Sequence, residues 1–224
     1  TGEEGGADLG SLAHWILSRW NFCSPALERF LGENPPPGLP PLLRPVWRDE
    51  GGKRALAEWL SRFAELPSGK ELADLASRQA LRREVPFRIP MAEGPELSGA
   101  MDVFWKGEKG ICIRDYKITA SGGEEGHAGF PSLLYECQLL FYGYAASLAF
   151  PGSEVDVRLI FLREGRAGNP VRPSRSWEVT GHAIRSAARV AATGPFPPSA
   201  ERCPLCPFLG DCPYGTRSRG SSSF

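Results

Sequence analysis

The middle of the chain alternates hydrophobic and polar residues with the two-residue period of β-strands. Three such runs occupy residues 83–90, 98–106 and 110–118. A charged segment containing glycine, residues 106–110, joins the second run to the third, which predicts a β-hairpin. The pattern therefore predicts a sheet of at least three strands in this part of the chain.

Helical periodicity precedes this sheet. Apolar residues recur at helical spacing from Gly10, and Asp8 is placed to cap that helix, whereas residues 1–9 are rich in glycine and acid and are expected to be loose. A proline-rich stretch at residues 34–45 is expected to interrupt regular structure. We predict a helical insertion over residues 32–81, with helices at residues 54–66 and 70–81.

After the sheet, residues 132–150 are apolar almost all round, which predicts a long buried helix. A strand is predicted at residues 154–163, a short strand at 176–180 and a helix at 182–192. This order of elements predicts an α/β fold, with a central mixed β-sheet flanked by helices and a helical crossover between strands.

Composition and charge set limits on the class of protein. The 224 residues carry no formal net charge, so the chain as a whole presents no basic field for nucleic acid. From residue 151 onward there are ten arginines and six acidic residues. This excess of positive charge is explained about equally well by contacts with phosphate groups and by an arginine-rich composition without such a role. No membrane-spanning run or secretory signal is present, so we expect a cytoplasmic protein. The length predicts a single domain, residues 1–224, and the absence of an initiator Met suggests that it is a fragment of a longer chain.

Two acids and a lysine meet in the predicted hairpin. Asp102 lies on its first strand, and Asp115 and Lys117 share one face of its second strand. Converging carboxylates need a compensating cation, so the hairpin is a candidate divalent-metal site. Taken alone, an acid two residues from a lysine is more often a solvated strand end.

Three cysteines form a cluster in the C-terminal segment, residues 195–215. Cys203, Cys206 and Cys212 have the spacing C-x2-C-x5-C, in which thiolates of one turn can reach one metal. A fourth ligand must come from elsewhere, and Cys23 is the one cysteine that lies outside an apolar strand or helix. Zinc and an iron–sulfur cluster both suit such ligands, and the spacing does not choose between them.

Taken together, these motifs resemble the RecB-like nucleases of the PD-(D/E)XK superfamily, in particular the AddA and AddB type that accompanies recombination helicases. The matching segments run in order along nearly the whole chain: Gly10 to His14 (GSLAH), Glu84 in REVPF, Ser98 to Asp102 (SGAMD), Asp115 to Lys117 (DYK), Gln138 to Tyr142 (QLLFY), and the C-terminal cysteines.

The resemblance implies a role for each motif residue. His14, Asp102, Asp115 and the carbonyl of Tyr116 would bind Mg²⁺ or Mn²⁺, and Lys117 would orient or activate the attacking water. Asp102, Asp115 and Lys117 would thus be the catalytic residues.

The remaining motif residues would support this centre. Gln138 and Tyr142, four residues apart on one helix, would contact DNA near the scissile phosphate. Glu84 would assist catalysis through Lys117 or through water.

The cysteines resemble the staple of AddB-type nucleases, in which an N-terminal cysteine and three C-terminal ones hold a [4Fe–4S] cluster. Here the sequence departs from the pattern, because Cys23 follows His14, whereas the first cysteine of the relatives precedes the corresponding histidine. Cys23 as a substitute ligand, a ligand upstream of this chain, and a zinc site therefore all stay open.

The resemblance predicts a metal-dependent DNA exonuclease, acting on single strands within a helicase–nuclease for DNA repair or recombination. One alternative is an inactive nuclease fold that binds DNA or supports a partner, and another is a zinc-knuckle interaction module. The cleavage polarity, the choice between end and internal cutting, and the helicase partner stay open.

Overall fold

A computed structural model describes residues 4–23, 27, 31–32, 35–91, 96–118, 130–173 and 175–194. At the centre of this part of the chain is a five-stranded sheet with the strand order β1-β2-β3-β4-β5. Its strands are β1 (Arg82–Ile89), β2 (Leu97–Lys106), β3 (Gly110–Lys117), β4 (Glu154–Phe161) and β5 (Arg166–Ala167).

Helices precede the sheet and follow β3 and β5. Those described are α1 (Glu4–Leu17), a 3₁₀ helix (Pro41–Leu43), α2 (Arg44–Arg48), α3 (Glu50–Glu65), α4 (Pro67–Ser77), α5 (Phe130–Ala149) and α6 (Trp177–Thr193). None of the helices in these ranges combines the length and the apolar character that crossing a bilayer requires.

The sheet mixes antiparallel and parallel pairs, as the element order predicts. β1 pairs with β2 and β2 with β3 in antiparallel fashion, β3 and β4 are parallel with α5 between them in the chain, and β5 is antiparallel to β4. Glycine is needed where β3 starts beside β4, because a Cβ at Gly110 would lie 2.1 Å from the carbonyl oxygen of Glu154. The predicted hairpin and the mixed sheet flanked by helices are confirmed.

Two hydrophobic cores lie on opposite faces of the sheet. The first packs α1 and the helical segment from the 3₁₀ helix to α4 against one face; its fully buried members include Leu12, Ile16, Trp47, Leu56, Phe63 and Tyr116. The second packs α5 against the other face; it includes Ile113, Leu139, Tyr144 and Val157. Side chains of α1 can therefore reach the strands from one face of the sheet, and side chains of α5 from the other.

The β1–β2 ladder changes face at its middle. Met101 packs beneath α5, whereas Val103, two residues later on the same strand, packs on the α1 side. Opposite this step on β1, Glu84 has a φ of 48°, which a non-glycine residue rarely adopts. The pairing register is the same on both sides of Glu84, so the backbone twists here without inserting a residue.

Two predicted boundaries are wrong near the N-terminus. α1 begins at Glu4, so Asp8 lies within the helix and does not cap it. The proline-rich stretch is not wholly irregular, because its end forms the 3₁₀ helix and enters α2, whose Trp47 is buried. Proline is tolerated in the first turn of a helix, since the N–H that it lacks has no partner there.

The predicted short strand at residues 176–180 is also wrong, because α6 begins at Trp177. Ser176 caps this helix: its side chain accepts a hydrogen bond from the backbone N–H of Val179 at 3.2 Å. The Trp177 indole packs on Gly143 of α5, where a Cβ would lie 2.1 Å from the ring. The local pattern of residues 176–180 indicates a strand, but the segment forms the start of a helix that packs against α5.

Candidate active site

Asp115 lies near the end of β3 and faces α5. Ile111 and Ile113 occupy the same strand face in the core beneath α5, and the alternation carries this direction to Asp115, which is 0% exposed. Its Oδ1 accepts a hydrogen bond from Nε2 of Gln138 at 3.0 Å. Its Oδ2 lies 2.5 Å from Nζ of Lys117 but has no partner in hydrogen-bond geometry among the described residues. A buried carboxylate oxygen is therefore only partly compensated.

Asp102 connects β2 to both β3 and α1. Its Oδ2 accepts a hydrogen bond from the backbone N–H of Tyr116 at 2.8 Å and lies 3.3 Å from Nδ1 of His14. Because Tyr116 follows Asp115 directly, this bond places the two acids at neighbouring positions. The hairpin therefore brings Asp102 and Asp115 to neighbouring positions, with Asp102 directed toward His14 of α1 and Asp115 toward Gln138 of α5.

His14 reaches the hairpin from α1 across 102 residues of sequence. Its Nε2 lies 3.0 Å from the carbonyl oxygen of Tyr116, so an oxygen faces each ring nitrogen. Burial alone would lower the pKa of His14, but the hydrogen bond and charge of Asp102 and the charge of Asp115 outweigh burial and raise it. Oxygens directed at both nitrogens make this a position that favours positive charge.

Glu84 joins this group from β1. In the pairing register its position falls opposite Asp102. Ligand atoms of Glu84, His14 and Asp102 all lie within 4.8 Å of one another. Burial and the negative charge of Asp102 raise the pKa of the Glu84 carboxyl, although His14 opposes them. A left-handed backbone at this position is a local strain of the kind found at functional sites.

Arg83 holds the start of β1 on the α1 side, next to this strained position. Its Nη2 donates a hydrogen bond to the carbonyl oxygen of Trp20 at 3.0 Å, and its guanidinium lies 5.1 Å from the centre of the Phe22 ring. Val85, two residues later, packs beneath α5 instead. The turn of the backbone at Glu84 lies between these two anchors.

α5 adds a polar row that faces β3. Gln138 donates through Nε2 to the hydroxyl of Tyr142 at 2.7 Å as well as to Asp115. Residues four apart on a helix share a face, so the spacing predicted that these two side chains would lie together. Burial and the charge of Asp115 raise the pKa of Tyr142 well above its ordinary value, and it stays a neutral phenol.

The acids of the site repel one another. Burial and the charge of Asp102 raise the pKa of Asp115 to about 6, although Lys117 and His14 act in the opposite direction. The Lys117 side chain is itself 16% exposed. One lysine and one histidine thus leave the negative charge of the three acids incompletely balanced, which favours binding of an additional cation.

The donor set fits a divalent metal ion. Carboxylate oxygens suit Mg²⁺ and Mn²⁺, and Mn²⁺ also accepts an imidazole nitrogen. The arrangement differs from the predicted one: among the described residues, Glu84 joins His14 and Asp102 in the group of ligand atoms, whereas Asp115 is not part of that group and its carboxylate lies against Lys117 and Gln138. The Tyr116 carbonyl contacts His14.

The predicted cluster cysteines lie mostly outside the described residues: Cys203, Cys206 and Cys212. Cys23 is described; it is exposed, and its thiol donates to the side chain of Asn21 at 3.0 Å. Its role as a fourth ligand stays a prediction.

Sequence reasoning missed two neighbours of the site. Arg83 adjoins Glu84, and its adjacency to a predicted site residue was the only available signal. Tyr135 has its ring 5.0 Å from Nζ of Lys117. It precedes Gln138 by three residues, so the helical row through Gln138 and Tyr142 could have indicated it.

Comparisons with known proteins assign the chain to a family. Among solved structures, one titled "Crystal structure of SSO0001" is similar at 15% identity and a TM-score of 0.42, over 78% of this chain and 82% of that one. No curated protein matches the chain. Residues 1–213 match the family described as the PD-(D/E)XK nuclease superfamily, whose members use divalent metals. The chain belongs to the PD-(D/E)XK nuclease superfamily.

Proposed function

We propose that the chain is a divalent-metal-dependent nuclease that hydrolyses phosphodiester bonds in DNA. The observation that supports this most directly is the grouping of His14, Glu84 and Asp102 within 4.8 Å, beside the ion pair of Lys117 with the buried Asp115. These residues come from α1, β1, β2 and β3, which a solvated strand end would not explain.

In this proposal His14, Asp102 and Asp115 hold the metal, with Glu84 as a further carboxylate ligand and the Tyr116 carbonyl as a backbone one. A divalent cation supplies positive charge for the phosphate and lowers the pKa of water, so that hydroxide is available near neutral pH. The two carboxylates placed on adjacent strands keep the donor oxygens preorganised.

Lys117 provides a positive charge next to Asp115. Its ammonium already lies against Asp115, where it can donate to the attacking water and to a phosphate oxygen. Asp102 holds the backbone of Tyr116 and thereby the direction of the two side chains on either side of it.

Gln138 and Tyr142 orient Asp115 and contact DNA next to the scissile phosphate. Gln138 uses its amide N–H groups on Asp115 and Tyr142, which leaves its carbonyl oxygen for a donor of the substrate.

The finer specificity rests on the sequence motifs. We propose an exonuclease for single-stranded DNA, acting in the cytoplasm within a helicase–nuclease for repair or recombination. We further propose that Cys203, Cys206 and Cys212 hold a [4Fe–4S] cluster with Cys23 or an upstream cysteine. Such a cluster would stabilise the domain by linking distant segments, and zinc is the alternative occupant.

A cleavage assay tests the activity. The protein is purified anaerobically and incubated with single-stranded DNA labelled at either end, with Mg²⁺, with Mn²⁺ or with EDTA. We expect metal-dependent degradation, which Lys117→Ala abolishes and Glu84→Gln reduces, whereas the exposed hairpin variants Lys109→Ala and Glu108→Gln retain it. Circular dichroism of each variant verifies that the fold survives.

The products and the metal content decide the finer points. Mononucleotides released from one end indicate an exonuclease, and internal fragments indicate an endonuclease. DNA binding with no cleavage under any metal would replace this proposal by the inactive, DNA-binding alternative. Iron and sulfide with visible charge-transfer absorption support the cluster, and a colourless anaerobic protein that contains zinc contradicts it.

A further inference from the structure

Tyr135 lies on α5 in line with the polar row of the site. Tyr135, Gln138 and Tyr142 follow the three- and four-residue spacing of one helical face. The residues around Tyr135, namely Leu134, Glu136 and Cys137, are exposed, whereas Tyr135 is half-buried. The ring is thus turned from solvent toward the sheet.

The ring covers the ammonium of Lys117. Nζ lies 5.0 Å from the ring centre, within the distance at which an aromatic face attracts a cation, and 2.5 Å from Oδ2 of Asp115. Lys117 is therefore held between a carboxylate and an aromatic face. We infer that Tyr135 is a positioning residue for Lys117, which keeps the ammonium beside the reacting phosphate through its aromatic face.

An aromatic face holds an ammonium differently from a carboxylate. It attracts the charge without accepting a directed N–H bond, so the ring itself occupies none of the N–H donors that Lys117 can offer to water and to phosphate oxygens. A flexible lysine side chain also has considerable rotamer freedom, and the ring restricts that freedom before the substrate arrives.

The contact matters most when Asp115 is engaged elsewhere. A carboxylate that binds a metal shares its negative charge with it and attracts Lys117 less strongly. The Tyr135 ring is neutral and does not compete for the metal, so its attraction for Lys117 persists. The inference rests on the proposed nuclease function for its catalytic consequence, whereas the contact itself can be tested without activity.

Nuclear magnetic resonance tests the contact in the metal-free protein. The chain has five lysines, so labelling with ¹³C-lysine gives few signals, and Lys117→Arg identifies the one of interest. We expect an upfield ring-current shift of the Lys117 ε-methylene protons in the wild type and in Tyr135→Phe, and its loss in Tyr135→Leu. An unshifted wild-type signal would overturn the inference.

Steady-state kinetics tests the consequence. Loss of the aromatic face in Tyr135→Leu should lower kcat about tenfold with KM nearly unchanged, and Tyr135→Phe should restore most of it. Leu134→Ala, an exposed neighbour on the same turn, is the control and should match the wild type. Equal activity of Tyr135→Leu and the wild type would overturn the positioning role while leaving the nuclease proposal intact, whereas an inactive wild type would overturn both.

Discussion

Two carboxylates on neighbouring strands of the same sheet have opposite surroundings. Asp156 on β4 accepts hydrogen bonds from Arg114 at 2.7 Å and from Nε and Nη2 of Arg158 at 2.8 and 2.7 Å. Although burial opposes it, these two guanidinium groups lower the pKa of Asp156. Asp115 on β3 has one lysine, a nearby acid and a pKa raised to about 6.

The different surroundings suit the two carboxylates to different roles, Asp156 to stabilising the fold and Asp115 to the candidate active site. Asp156 has its charge fully matched, so the ionised form strengthens the fold and leaves no reason to bind a further cation. Asp115 is more deeply buried and less well matched, so the fold retains an electrostatic cost that a bound cation would relieve. A pKa raised by burial and like charge thus distinguishes the candidate active site from the ion-pair network.

The largest expected difference between the two acids is in activity. Asp115→Asn should lower the rate of DNA cleavage on the order of a thousandfold or more, because the amide removes a charge proposed to bind the metal, and also the partner of Lys117. Asp156→Asn should keep activity within about threefold at a temperature where it is folded, since its side-chain partners among the described residues are Arg114 and Arg158 and not residues of the site. Rates on end-labelled DNA, normalised to folded protein, measure this. Similar losses in both variants would contradict the comparison.

The next difference is in the pH dependence of stability without metal. Asp115 binds its proton more tightly in the fold, with a pKa of about 6, than in the unfolded chain, near 3.9. Its contribution to the free energy of unfolding is therefore greatest below about pH 4 and falls by roughly 2–3 kcal/mol as pH rises through about 6. His14, whose pKa is also raised, adds a loss of the same sign at higher pH.

Urea unfolding in EDTA between pH 3.5 and 8 measures this slope. In Asp115→Asn, the free energy of unfolding should change less between about pH 4 and pH 6. The other charges that face Asp115 are still present in this variant, namely Asp102, Glu84, His14 and Lys117. The effect of pH on the contribution of Asp156 to stability has the opposite sign. Because the pKa of Asp156 is lowered in the fold, the stability that it contributes is lost as pH falls below about 4. An identical slope in wild type and Asp115→Asn would show that Asp115 does not titrate in this range.

A third effect, of similar size, is stabilisation by metal. Mn²⁺ at about one hundred times its Kd should raise the free energy of unfolding by about 2.7 kcal/mol. The gain should vanish in His14→Ala and persist in Asp156→Asn, because only His14 belongs to the donor group. Thermal melts with and without Mn²⁺ give the shift. A gain that survives in His14→Ala would move the metal site elsewhere.

The smallest effect expected is the stability cost of removing Asp156 itself. Asp156→Asn leaves two arginines without their shared counter-charge, and Arg114 is only 11% exposed, so we expect a loss of about 2 kcal/mol at pH 7. Urea unfolding measures it, with Glu154→Gln, an exposed acid on the same strand, as the control. A loss no larger than that of the control would mean that the network contributes little.

The hydrophobic periodicity of the sequence predicted those features that depend on residues close to one another in the chain. The two-residue period of the hairpin was enough to bring Asp102 and Asp115 to neighbouring positions, and helical spacing was enough to put Gln138 and Tyr142 on one face. By contrast, the helix that begins at Trp177 was predicted as a strand in its first turn. The Trp177 ring packs on Gly143 in another helix, and no local pattern carries that information.

The chemistry of the site was thus determined by the sequence, and its grouping by the tertiary structure. Residue types and their spacing alone indicated two acids and a lysine on one hairpin, and the resemblance to RecB-like nucleases implied His14 and Glu84 as partners. Only the fold placed the His14 ring 3.0 Å from the Tyr116 carbonyl and twisted β1 at Glu84 toward Asp102. Contacts between distant segments depend on how the two hydrophobic layers pack on the sheet. Hydrophobic periodicity predicts which residues form these layers, but it does not predict which strand end each polar residue will contact.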